Sequence, residues 1–203
     1  MSTLLILGAG GHGRVVADAA RTSGDWVRVI ASDRDPARCR GDLITGVSAL
    51  ALQEALALAT SIHIAIGSAD AREREAAATA AVPMATVIHP KASVSPDAAL
   101  GEGCFIAAQA VVAPGARLGR CVIVNHGAVV DHDVGVGDFS HIAPLVALGG
   151  GVQVGHRVLI GSGASVLPGV RIGDDIVVGA GAAVCGDLSE PGVYAGVPAR
   201  KLK

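Results

Sequence analysis

His132 stands between two acids in the run Val130-Asp131-His132-Asp133. An imidazole flanked by carboxylates has the parts of a general base: a nitrogen that takes a proton, and an acid that fixes the tautomer and raises basicity. A second histidine, His141, closes the segment Asp138-Phe139-Ser140-His141. Near the start, Gly8-Ala9-Gly10-Gly11-His12-Gly13 follows the apolar run Leu4-Leu5-Ile6-Leu7 and precedes a helical stretch through Arg21. With Asp33 twenty residues beyond Gly13, the spacing matches a turn that offers helix N–H groups to a phosphate and an acid to a ribose. The same glycines also suit a tight strand-to-helix turn that binds nothing. His12 is unusual there, since that place normally presents backbone N–H groups.

What must position these residues is a repeat. From Ile88 to Val184 every sixth residue is Ile, Leu or Val. A period of six fits neither a helix nor an alternating strand; it marks a parallel β-helix whose coils share one core. The fourth residue after an anchor is small or branched, as at Ala92, Ala110, Ala128 and Val134, which fills a narrow interior. Leu100-Gly101, Leu118-Gly119, Val136-Gly137, Val154-Gly155 and Ile172-Gly173 recur every eighteen residues. Three hexads therefore make one coil, with these glycines stacked at a corner that needs freedom at φ. Seventeen anchors predict five to six coils, each rising about 4.8 Å.

A period of eighteen converts sequence into neighbours. One column reads Pro96, Pro114, His132, Gly150, Pro168, Gly186. Proline suits an outward turn; His132 and Gly150 interrupt it on adjacent coils. The bare Gly150 opens space above the imidazole and exposes an N–H that could hold an oxyanion. Another column, Phe105, Ile123, His141, Leu159 and Val177, should face outward, and an exposed apolar ladder predicts a subunit interface with His141 in it. His156 shares a corner with Arg120, Asp138 and Asp174 and reads as solvated. His126 stacks with Ala108, Pro144, Ser162 and Ala180, small residues suited to the floor of a groove. His63 and His89 show no pattern.

The first 84 residues have a different grammar: strands at residues 4–7, 27–30 and 61–66, the last ending at Gly67, and a helix from Ala69 to Ala81. That is roughly half a doubly wound α/β domain, enough for one nucleotide. The expected organisation is an α/β half-Rossmann domain over residues 1–84, an all-β parallel β-helix over 85–188, and a segment over 189–203 that closes the helix.

The 203 residues carry a net charge of −2, with 51% hydrophobic but only 2% aromatic residues. The core must be aliphatic, and near-neutral charge argues against nucleic acid as the main partner. No apolar run approaches the ~20 residues that span a bilayer. The opening lacks the basic region of a signal peptide. Cys39, Cys104, Cys121 and Cys185 have no metal or redox spacing, so reduced, core-like thiols in a cytoplasmic protein are expected, without a metal.

Together the His12 turn, the Asp131-His132-Asp133 run, the Asp138–His141 segment and the ending Gly196-Val197-Pro198-Ala199 resemble bacterial sugar acetyltransferases of the left-handed β-helix class. The group concerned holds nucleotide-linked 4-amino-sugar N-acetyltransferases and sialic acid O-acetyltransferases. The resemblance implies a homotrimer, with acetyl-CoA as co-substrate in the groove between adjacent rods and a nucleotide-sugar on the N-terminal domain. By position it implies His132 as base with Asp133 behind it, His141 at the acetyl donor, and Ser162 and Ala180 further along the cofactor. Gly10, Gly11, His12, Asp33 and Gly67 resemble the substrate contacts. Arg34 stands where the family often has a second acid. No serine or cysteine stacks beside His132, so direct transfer is expected rather than an acyl-enzyme. O-acetylation of sialic acid or another sugar hydroxyl is the alternative. A zinc hydro-lyase would need a third ligand beside His126 and His132, and a non-enzymatic scaffold would not explain the broken proline column.

Overall fold

Leu4 to Leu7 are buried on both faces, as a central parallel strand must be. In the computed structural model, which describes residues 2–202, strand β1 (Thr3–Leu7) lies between β2 (Arg28–Ser32) and β5 (Ser61–Ile64), all parallel. Helix α1 (Gly11–Ser23) turns Val16, Ala17, Ala19 and Ala20 inward and ends at Gly24, which adopts the left-handed conformation. Helix α3 (Ala69–Ala78) begins at Ser68, whose side chain accepts from the Ala71 N–H. The spacing predicts this helix to Ala81, but it stops three residues earlier. Two elements have no clear period in the sequence to mark them: the hairpin of β3 (Asp42–Ile44) with β4 (Val47–Ser48), and helix α2 (Leu52–Leu58). Ala55 of α2 joins Leu5, Leu7, Ile30 and Ile62 in one apolar cluster. This unit is compact and ends at Pro90.

His63 lies within β5, 1% exposed, with Nδ1 donating to the Ala85 carbonyl at 2.9 Å. Burial pushes its pKa down to about 4, with the Arg72 charge acting in the same direction. Unfolded, the same ring titrates near 6.5. Its stabilising contribution is therefore complete above pH 6.5 and lost as pH falls towards 4. Going from pH 7 to 4.5 is expected to remove on the order of 2–3 kcal/mol through this group. Urea unfolding at both pH values checks this. A His63→Gln protein losing just as much stability would reject it.

The second unit begins at Lys91 and is a rod of two-residue strands. Partners in the ladders lie eighteen residues apart: Val111 pairs with Val129, Arg117 with Gly135, Ile123 with His141. Anchors such as Ile106, Val124, Val130, Ile142 and Ile160 are 0% exposed. The strand Gly192–Ala195 adds in parallel beside Ile176–Val178, and Arg200–Lys201 returns antiparallel to it. That leaves two basic residues on the last strand, a common guard against edge-to-edge pairing.

Three further expectations need correction. The glycines after the anchors, such as Gly101 and Gly137, are not left-handed. A Cβ at Gly101 would meet the Gly119 oxygen at 2.5 Å, and one at Gly137 the Gly155 carbonyl carbon at 2.6 Å. Close approach of successive coils is what excludes a side chain. Positive φ falls two residues later, at Gly103, Cys121, Phe139, Arg157 and Asp175. The polar residue after each glycine links one coil to the next. Asp138 Oδ1 accepts from the Arg120 N–H, His156 Nδ1 from that of Asp138, and Asp174 Oδ1 from that of His156. His156 is thus one rung of a corner ladder.

The second correction concerns the outward apolar column. Phe105 and Ile123 are 0% and 1% exposed, whereas Leu159 is 38% exposed. Only the part beyond His141 is open, and Val193, stacked on Val177, extends it. The four cysteines are free thiols; Cys104 and Cys121 are buried, but Cys185 is exposed rather than core-like.

Candidate active site

Where the chain leaves the strand Val129–Val130 it turns through Asp131, His132 and Asp133 before Gly135–Val136. Asp131 Oδ1 accepts from the His132 N–H at 2.7 Å. Asp133 Oδ2 accepts from the imidazole Nδ1 at 2.9 Å. The ring proton is thereby placed on Nδ1, and Nε2 keeps its lone pair. The bonded Asp133 carboxylate holds the imidazolium above the ordinary histidine range, and the charge of Asp131 adds to this. His132 is exposed, so its neighbours rather than burial set its protonation.

The next coil crosses this corner as Gly149-Gly150-Gly151. A Cβ at Gly150 would fall on the His132 ring, with Nε2 its nearest atom. The Gly151 N–H donates to the His132 carbonyl at 2.9 Å. Among the described residues, no backbone carbonyl accepts from the Gly150 N–H. The base nitrogen therefore lies beside the Gly150 backbone, whose N–H is not spent on a coil-to-coil hydrogen bond. Such a pair can take a proton from a nucleophile and hold the oxygen of a tetrahedral intermediate.

His141 lies on another face of the rod, half-buried, with Nε2 accepting from Asn125 Nδ2 at 3.2 Å. Ser162 and Ala180 are exposed on one corner, and the Gly181 N–H donates to the Ser162 carbonyl. Within one chain these residues and His132 occupy different corners. Two hollows of about 540 and 440 Å³ lie towards the rod's C-terminal end and include neither His132 nor Gly150. No cluster of three His, Cys, Asp or Glu suited to a metal ion occurs among the described residues.

In the N-terminal unit Gly10, Gly11, His12, Asp33 and Gly67 line one hollow of about 350 Å³. Helix α1 starts at Gly11 without a side-chain cap or an acid in its first turn, which leaves N–H groups for an anion. His12 sits in that first turn of helix rather than before it. Gly13 is fully packed: a Cβ there would fall on the Gly8 carbonyl oxygen. Asp33 accepts from the Ala9 N–H at 2.8 Å and the Asp35 N–H at 2.9 Å. Arg34 is paired with Glu75.

Residues 3–78 match the family model described as PglD N-terminal domain, and residues 151–185 one described as hexapeptide repeat of succinyl-transferase. The acetyltransferase domain of PglB from Neisseria gonorrhoeae is 33% identical, with a TM-score of 0.93 over 100% of both chains. The chain belongs to the left-handed β-helix sugar acetyltransferases. PerB from Caulobacter crescentus, solved with CoA and GDP-perosamine, is 36% identical, with a TM-score of 0.92 over 100% of this chain and 98% of that one. WeeI from Acinetobacter baumannii, 19% identical with a TM-score of 0.69, shares the fold. No curated protein sequence matches the chain.

In this sugar acetyltransferase several residues around the sites were not singled out by motif or column. Asn125, which holds His141, sits in a column with Ala107, Ala143 and Gly161, and that break is legible in the same way as the proline break. Arg38 reaches over the N-terminal hollow, 3.7 Å from Asp33 Oδ2. Arg72, 1% exposed, donates to the carbonyls of Ile66 and Gly67, which border the same hollow. Both arginines come from helical segments whose pattern says nothing about where a long side chain ends.

Proposed function

We propose that this enzyme transfers the acetyl group of acetyl-CoA to the 4-amino group of a nucleotide-linked amino sugar. The observation that carries the reading is the His132 corner, where Nε2 faces a coil of three bare glycines. The amine nitrogen bonds to the thioester carbonyl carbon while Nε2 takes the amine proton. The Gly150 N–H holds the developing oxyanion. The C–S bond then breaks, and the proton passes to the departing thiolate to give CoA. Holding donor and acceptor side by side supplies much of the rate. Similarity to PerB, whose structure holds CoA and GDP-perosamine, supports an amine rather than a hydroxyl as acceptor.

The reading includes a homotrimer in which acetyl-CoA lies between rods, at the His132 corner of one and against His141, Ser162 and Ala180. The exposed Leu159 and Val193 fit the rod-to-rod contact. The free thiols fit a cytoplasmic enzyme. The hollow at the start of α1 takes the nucleotide diphosphate on its N–H groups.

CoA release with GDP-, UDP- and dTDP-linked 4-amino sugars, and with sialic acid, tests the reaction. Release with one or more of the amino sugars supports it; turnover confined to a sugar hydroxyl overturns it. Asp33→Ala frees the Ala9 N–H and loosens the turn. It is expected to raise KM for the nucleotide-sugar about tenfold while leaving KM for acetyl-CoA unchanged. An equal rise in both would remove the substrate from this hollow.

A further inference from the structure

Asp133 is left-handed, with φ of 60°, in a column whose neighbours Gly115, Gly151 and Gly169 are all left-handed glycines. An L-residue bears a cost there that glycine does not. Aspartate tolerates that conformation better than most side chains, and its surroundings hold the carboxylate.

Those surroundings are specific. One coil below, a Cβ at Gly115 would stand 2.5 Å from Asp133 Oδ1 and 3.5 Å from its carboxyl carbon. The carboxylate that bonds His132 thus fills the space left by a missing side chain. One coil above, Gln153 Nε2 donates to the Asp133 carbonyl at 3.3 Å and to the Gly151 carbonyl at 3.1 Å. Gln153 can lean that way because Gly135, beneath it, is also bare: a Cβ there would fall on Gln153 Oε1. Gln153 therefore ties the coil of Asp133 to the coil of Gly150. Gly115, Arg117, Asp133, Gly135 and Gln153 line one hollow of about 370 Å³ beside the His132 corner.

We propose that Gly115 and Gln153 are positioning residues that fix where the Asp133 carboxylate points and, through it, hold the His132 imidazole in its proton-accepting orientation. This rests on His132 acting as the base. The charged groups facing the corner are Asp131 and Asp133 on its own turn and Arg117 from the coil below. The three glycines above, and Ala113 and Pro114 below, bring none.

Gly115→Ala tests it against Gly169→Ala. Gly169 is in the same column with φ of 74° against 75° at Gly115, yet has no atom within 4 Å of a built Cβ. Both variants bear the left-handed cost; only the first pushes on Asp133. Gly115→Ala is expected to lower kcat about tenfold or more relative to Gly169→Ala. It should also move the acid limb of the kcat/KM profile to lower pH, because a displaced carboxylate no longer favours the imidazolium. NMR titration of the His132 ring should show the same fall in midpoint. Gln153→Met, of similar length but without the donor, should act in the same direction by about threefold.

A ring titration and kcat in Gly115→Ala equal to those of Gly169→Ala overturn the proposal. Should Gly115→Ala not fold, an unchanged profile in Gln153→Met does the same. If His132→Ala stays fully active, the base assignment fails, while the ring titration still reports whether Gly115 and Gln153 hold Asp133.

Discussion

His132→Ala should lower kcat by about 10²- to 10⁴-fold, the usual contribution of a positioned general base, with KM for acetyl-CoA little changed. The side chain is 64% exposed, so its loss should leave stability little changed. Steady-state CoA release together with thermal unfolding separates the two effects. The pH dependence carries a sign. As the proposed base, His132 would act when neutral, and its neighbours raise its pKa. Wild-type kcat/KM should therefore climb through a midpoint above about 6.5, the unperturbed histidine value. The residual activity of the variant should lack that limb. A variant that keeps both its turnover and its acid limb would remove His132 from the reaction.

Gly150→Ala should be almost as costly, for a steric reason. A single methyl at this position meets the imidazole, with Cε1 at 2.5 Å and Cδ2 at 3.1 Å. Either the ring swings out or the coil lifts and carries the N–H away from the oxyanion. Loss of an oxyanion donor typically costs about 10²- to 10³-fold in kcat, and a similar loss is expected here. Gly150 is absent from the left-handed positions, so alanine brings no backbone strain of its own. Gly186 provides the control: it is in the same column, and no atom lies within 4 Å of a built Cβ. Gly186→Ala should keep its kcat. Equal kcat values for the two variants would dissociate the bare coil from the chemistry.

The rod is legible because its period is long and its anchors are all of one kind. One residue per hexad must be aliphatic to fill the axis, so the phase survives without the structure. The ladders Val111–Val129 and Ile123–His141 follow from that phase alone. The same register brings His132 beneath Gly150. The corner glycines have a different cause from the one their spacing suggests. Gly101 and Gly137 lack side chains because the next coil passes too close, and the left-handed turns sit at residues such as Cys121 and Arg157, which composition does not mark. The outward column is open only in part, since a face that alternation exposes can be covered by other parts of the chain, as at Phe105 and Ile123. In the N-terminal unit the Gly8–Gly13 turn and Asp33 are readable as a motif. Arg38 and Arg72 are not, because a long side chain on a helix can end in several places.

Spacing fixes which residues are neighbours: six sets the face, eighteen sets the coil, and a break in a column marks a corner unlike the rest. Tertiary structure alone decided direction. That Asp133 turns its carboxylate to Nδ1, that Nε2 is the nitrogen left facing Gly150, and that Gln153 leans across Gly135 are matters of φ, rotamer and contact. A repeat in one dimension carries register but no torsion angles, so orientation appears only once the coils are stacked.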